Sequence, residues 1–338
     1  MPCKYIIFPV LIFFLLGCQV RNSDQELVTT IPVQMDENHR MEAEKYLIGI
    51  DSLTIHADEG DWISEVQDLC MNDSWIFILD INQTVFKVDV HTGLIAQKMH
   101  KRGHSESEVI APKAITTSGD TLYVLDFQSM AILSFDMNLS FLSRFQIPFP
   151  ALDFAKVDNG FLLYNINATD ELKQIVHIDE RGQVIGSYFD KDSDLDMLLS
   201  DKIFMEATEG EIYFMLPASD KIYKWRDGKI LNEYILDYGN GKVHEKKSSN
   251  LYRKRKDNAI NAFVMQNYVV ISFLSQSMVK YNFYDRRTKE SDAGMVACKS
   301  SAAFYPRWQY QTCLIGISDI ADEHIGQGEM KLLFYRFE

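Results

Sequence analysis

A three-strand unit recurs along this chain, and a repeat of that length restricts the fold more than any other feature. The first copy runs Trp75-Ile-Phe-Ile-Leu-Asp80, then Val85-Phe-Lys-Val-Asp-Val90, then, after the turn residues His91-Thr92-Gly93, Leu94-Ile-Ala-Gln-Lys-Met99. Later copies begin at Leu122, Phe161, Ile212 and Val269, so from Ile76 the starts are separated by 46, 39, 51 and 57 residues. In each copy the leading run is almost wholly apolar, the next alternates more, and Gly- or Asp-bearing turns sit at hairpin positions. A spacing of roughly 40–50 residues per antiparallel unit is that of a propeller blade. A β-sandwich or simple meander would have to reproduce five aligned copies by coincidence.

A worn sixth unit follows, with Gln311-Thr-Cys-Leu-Ile-Gly-Ile317 and Lys331-Leu-Leu-Phe-Tyr-Arg-Phe337. It lacks a strand, which Tyr46-Leu-Ile-Gly-Ile50 or Leu53-Thr-Ile-His56 can supply from the N-terminal side. The sequence therefore predicts an all-β, six-bladed β-propeller over residues 45–338. The leading apolar run of each unit is expected to be its inner strand, buried on both faces.

The first 44 residues are different. A lone Lys4 precedes an apolar run from Tyr5 to Leu16, too short to span a bilayer, which takes about 20 residues, and polar residues follow directly. The run reads as an export signal. It ends in Leu15-Leu16-Gly17-Cys18, which resembles the lipobox of bacterial lipoproteins. That resemblance implies cleavage after residue 17 and lipidation of Cys18, and two or more acyl chains anchor a protein stably. Residues 18–44 are polar apart from a short β-like stretch, Leu27 to Val33, and read as a lipidated N-terminus and tether. A flexible chain of that length reaches roughly 25–30 Å.

Charge and cysteine usage narrow the partners. The formal net charge is −14, and −15 once residues 1–17 are removed with Lys4, which repels nucleic acid. Of five cysteines, Cys3 leaves with the signal and Cys18 carries lipid, so Cys70, Cys298 and Cys313 remain, without metal-ligand spacing. They read as buried thiols or as one Cys298–Cys313 disulfide.

Chemistry-bearing motifs are sparse. There is no Gly-x-Ser-x-Gly elbow, His-Glu-x-x-His, phosphate-cradling loop or Cys-x-x-Cys, and no cofactor is expected. The segment between the first two units, His100 to Glu108, offers Arg102, His104 and Glu108 as contacts for a polar ligand beside the channel. His100 and His104 have helical metal-chelating spacing, but Gly103 argues against a helix. Asp190, Asp192 and Asp194 alternate with Asp196 as calcium-loop oxygens do, yet Leu195 and Asp201 stand where such a loop places Gly and, usually, Glu. Lys246-Lys247 and Arg253-Lys-Arg-Lys256 form a basic run between units four and five that suits an acidic partner or a solvated face.

Over residues 50–338 the chain resembles the six-bladed β-propeller lipoproteins of Gram-negative envelopes, relatives of NHL-type propellers. The carriers are Ile-Leu-Asp80 and Val-Leu-Asp126, the middle strands that end in Asp before a turn, and the segment after the first unit. That segment tends to read Gly-x-Gly-Pro-x-Glu in the family; Gly103 and Glu108 match, while Ser105 and Glu106 depart. The resemblance implies an envelope protein held to the outer membrane by lipid, facing the periplasm or the surface. The expected role is a non-enzymatic module for a glycan, a peptide or an envelope protein; the alternative is a hydrolase or lyase working at the channel mouth. Fractionation of Cys18→Ala cells tests the anchor: the protein is expected in the soluble fraction, and retention in the membrane fraction refutes lipidation.

Overall fold

A computed structural model describes residues 28–35, 38–57, 62–100, 103–191, 202–207, 210–217, 219–239, 257–275, 278–299, 304–318 and 329–338. Six sheets, each built on four antiparallel strands, are arranged in a ring. Blade 1 comprises Val66–Met71, Trp75–Asp80, Val85–Asp89 and Ile95–Met99. Blades 2 and 3 repeat the four-strand order over residues 112–146 and 153–188. Blades 4 and 5 do so over 204–237 and 257–297, and blade 6 takes Pro306–Tyr310, Cys313–Ile317 and Met330–Phe337. Its fourth strand is Leu47–Ile55, antiparallel to Met330–Phe337, so both stretches proposed to close the ring belong to one strand.

The apolar runs occupy the second position in each blade, not the innermost. The inner strands are Val66–Met71, Pro112–Ser118, Asp153–Val157, Phe204–Glu206, Asp257–Val264 and Pro306–Tyr310. The reason is geometric. A second strand has a strand on either edge and a blade against either face, so most of its side chains are buried. Ile76 and Ile78 pack toward blade 6, whereas Phe77 and Leu79 pack toward blade 2. An inner strand borders the channel, so part of its surface stays polar. Six apolar clusters result, one filling each space between neighbouring blades.

The aspartates that carried the family resemblance build turns. Asp89 accepts from the backbone N–H of His91 and Thr92 at 3.0 and 2.8 Å. Asp136 accepts from Asn138 and Ser140, and Asp179 from Arg181 and Gln183, all at 2.8 Å. These are side-chain-capped turns of the kind Asp favours. At the ends of second strands, Asp80 accepts from Thr84 N–H and Asp126 from the N–H groups of Ile110 and Ala111. Gly93 closes its turn at φ 71°, and a Cβ there would collide with the Thr54 carbonyl across the seam between blades 6 and 1.

Part of the stretch expected to be a tether is built into the ring. Thr29–Pro32 pairs in parallel with Lys229–Asp237 as a fifth strand on blade 4, and Arg40–Glu42 pairs in parallel with Ser291–Ala297 on blade 5. The alternation of Ile31 with Val33 and of Met41 with Ala43 explains it, since all four side chains are buried. Asp292 of blade 5 accepts from His39 Nε2 at 2.7 Å, Lys45 Nζ at 2.9 Å and the Tyr46 hydroxyl. Burial opposes its charge, but those three donors hold its carboxyl below the ordinary range. Residues 1–27, including the signal and Cys18, lie outside the described residues. Cys70, Cys298 and Cys313 are free thiols, and burial pushes Cys298 up to about 11 and Cys313 up to about 12. Asp292→Ala removes an acceptor shared by three donors. It is expected to cost about 1–3 kcal/mol in urea denaturation and to expose residues 33–46 to limited proteolysis.

Candidate functional site

The channel holds two cavities that meet at a barrier. Where the inner strands end lies a cavity of about 510 Å³, and where they begin lies one of about 310 Å³. Lys202 and Trp308 border both. The barrier grows out of an unmet need of the inner strands. Adjacent inner strands do not share a ladder, so some of their backbone donors need other acceptors. Asp68 of blade 1 accepts from its neighbour Leu69 N–H at 2.9 Å, from Ile115 N–H of blade 2 at 2.8 Å and from the Trp308 indole of blade 6 at 3.1 Å. Asp153 of blade 3 accepts from the N–H groups of Ile203 and Phe204 at 2.7 and 2.9 Å, at the start of blade 4.

Lys202 spans the two carboxylates. Its Nζ lies 3.1 Å from Asp68 and 3.3 Å from Asp153, with side chains 18%, 5% and 0% exposed respectively. Burial works against the lysine charge, but Asp153 and Asp68 more than compensate, so its pKa is raised. The Asp153 carboxyl is raised by its burial although Lys202 opposes this. Asp68 has four donors for about four lone-pair sites.

The larger cavity includes Cys70, Asp73, Glu206 and Tyr310. Tyr310 donates to Asp73 at 2.7 Å, and burial pushes its hydroxyl up to about 12. Burial also raises the Glu206 carboxyl, against the pull of Lys202. The Cys70 thiol is pushed well up by burial, with Asp68 adding to the shift. The smaller cavity is lined by Lys113, Arg307, Gln67 and Tyr305, with Glu65 at the same end.

The residues singled out by sequence lie elsewhere. Glu108 Oε2 accepts from Ser105 N–H at 3.0 Å, and this bond holds its carboxyl below the ordinary range. Its carboxylate lies where a Cβ on Gly103 would be, which explains why the motif pairs Gly with Glu. Arg144, on the outermost strand of blade 2, donates to the Glu108 carbonyl at 3.0 Å. His104 is exposed in the same loop, and neither it nor Glu108 lines a channel cavity. Arg102 lies outside the described residues, as do Asp192, Asp194 and the basic residues Lys246, Lys247 and Arg253–Lys256. Asp190 is solvent-exposed and pairs with Lys173 at 2.9 Å. Among the described residues no group of three His, Cys, Asp or Glu is placed to hold a metal ion.

Asp68, Asp153, Lys202, Lys113 and Arg307 were not singled out by sequence reasoning. No local signal marks them: Asp68 and Asp153 precede their ladder partners, Leu79 and Tyr164, by 11 residues, but so does Ala114 its partner Leu125. Lys202→Met leaves two buried carboxylates without their cation and is expected to cost about 3–5 kcal/mol at neutral pH. A raised carboxyl pKa means that the folded chain binds its proton more tightly than the unfolded chain, so stability falls as pH rises through the folded value. The variant's deficit should therefore shrink as pH is lowered toward the ordinary aspartate value of 3.8. Urea denaturation across that range, beside the parent chain, checks both the size and the trend.

The fold has known counterparts. A crystal structure from Bacteroides fragilis NCTC 9343, of a protein described as exported, superposes with a TM-score of 0.73 at 12% identity, covering 92% of this chain and all of that one. A member of the DUF4221 family from Bacteroides vulgatus ATCC 8482 gives 0.52 at 8% identity, covering 86% of this chain and 97% of its own. These identities bear on the fold alone. No curated protein matches the chain. The family model described as Domain of unknown function (DUF4934) matches residues 59–324, well over half of the 338, and the chain belongs to that family.

Proposed function

We propose that this chain is a lipid-anchored, extracytoplasmic binding module that receives its ligand in the propeller channel and releases it unchanged. The observation that carries the reading is the condition of the ionisable groups at the channel barrier. Asp68, Asp153 and Lys202 converge as catalytic groups would, yet their bonds are spent joining blades 1, 2, 3, 4 and 6. The cavities on either side are of the size that holds small ligands, about 300–1,000 Å³. The setting rests on the lipobox-like Leu15-Leu16-Gly17-Cys18 and on the exported Bacteroides fragilis protein that shares the fold. In this reading the chain sits at the outer membrane, facing the periplasm or the surface, where glycans, peptides and envelope proteins are the available partners. The net charge of −14 sets nucleic acid aside.

One observation favours a second reading. Glu206 is an exposed carboxyl lining the larger cavity, raised by local desolvation, and a hydrolase or lyase of glycans or peptides would use such a group as its general acid. A thermal-shift screen of the full-length protein in detergent against envelope glycans and peptides separates the two. A ligand at about 100 times its dissociation constant stabilises by about 2.7 kcal/mol. Recovery of that ligand intact supports the binding module; recovery of cleaved product that Glu206→Gln abolishes supports the enzyme.

A further inference from the structure

The smaller cavity is shaped by an irregularity that four blades share. In blades 1, 2, 5 and 6 the inner strand carries one residue more than its partner: Gln67, Lys113, Ile260 and Arg307 are each passed over in the ladder. An inserted residue breaks the alternation of a strand and re-aims its side chain. All four line this one cavity.

The bulges also hold one another. Arg307 Nη1 of blade 6 donates to the Val66 carbonyl, next to the bulge of blade 1, at 3.2 Å. Gln67 of blade 1 donates to the carbonyls of Pro112 and Lys113, at the bulge of blade 2, at 3.1 and 2.6 Å. The Arg307 guanidinium lies 4.5 Å over the Trp308 ring, which is itself tied to Asp68. Its plane is thus fixed by a carbonyl and an indole before any ligand arrives, and only one of its five N–H donors serves Val66. A fixed guanidinium fork matches a carboxylate with two parallel bonds. Lys113 and Lys202 bring two further cations to the lining, against the carboxylates of Glu65 and Asp68, and Asp68 and Asp153 hold Lys202. Tyr305, 46% exposed, adds an aromatic face. On a chain of net charge −14, three cations face two carboxylates in this lining.

We infer that the bulge-lined cavity recognises a small carboxylate, gripped by Arg307 and Lys113. The inference rests on the reading of the channel as a binding site. Such a carboxylate can belong to an acidic sugar or to an acylated amino acid, and the test carries both. Full-length protein in detergent is titrated calorimetrically with glucuronate against glucose, and with N-acetylalanine against its amide. At least one acid is expected to bind about tenfold or more tightly than its neutral counterpart, the scale of a charge-assisted bond, and more weakly as salt is raised; the responding pair names the source. Arg307→Lys keeps the charge and loses the fork, and is expected to weaken binding about tenfold. Lys113→Gln, which leaves the Val66 latch intact, is the second variant and should weaken it too. Equal binding of acid and neutral partner in both pairs, or wild-type affinity in both variants, overturns the inference. A neutral ligand that raises the melting temperature while both acids fail removes this site's assignment and leaves the binding module standing.

Discussion

Six sheets that each turn an edge toward a common axis share one problem: backbone donors at the axis have no neighbouring strand to accept them. The chain answers with carboxylates. Asp68 reaches the backbone of blade 2 and Asp153 the backbone of blade 4, each serving the blade that follows it. Two carboxylates brought so near the axis would repel and lose hydration, and Lys202 between them makes the arrangement tolerable. Much else at the channel follows. The bridge divides the channel, fixes Trp308, and so fixes the guanidinium that lies over it.

The repeat was legible because the second strand of each blade is buried on both faces, which writes an unbroken apolar run such as Trp75–Asp80 into the sequence. The inner strands were not legible for the opposite reason. A strand such as Pro112–Ser118 mixes buried and polar positions, and its bulge shifts the alternation by one residue. The channel groups were hidden with them, because nothing local to Asp68, Lys202 or Arg307 announces a meeting of residues more than a hundred positions apart. Glu108 shows a different use of a motif charge. Its carboxylate accepts from Ser105 N–H and lies over Gly103, bracing its own loop.

The two channel ends differ in what supports them. The larger cavity takes its polar character from Asp73, Glu206 and Tyr310, where inner strands end and turn. The smaller is framed by strand irregularities, two of whose side chains, Gln67 and Arg307, are latched to backbone carbonyls of the next blade. Rigid support of that kind is what recognition of a small charged group requires.

The closing strand has a consequence for how the chain is made. Leu47–Ile55 emerges early in synthesis, yet its partner Met330–Phe337 is the last strand of the chain, so that Asp51 waits for Arg336, 285 residues later. Thr29–Pro32 and Arg40–Glu42 likewise wait for strands some 200 or more residues downstream. Contacts of such sequence separation form slowly, because the loop must be closed before the pairing rewards it. Until then the nascent polypeptide carries unpaired edges and cannot complete its ring. Completion of the ring therefore depends on residues 330–337, and the most distant pairing among the described residues is the one that locks all six blades together.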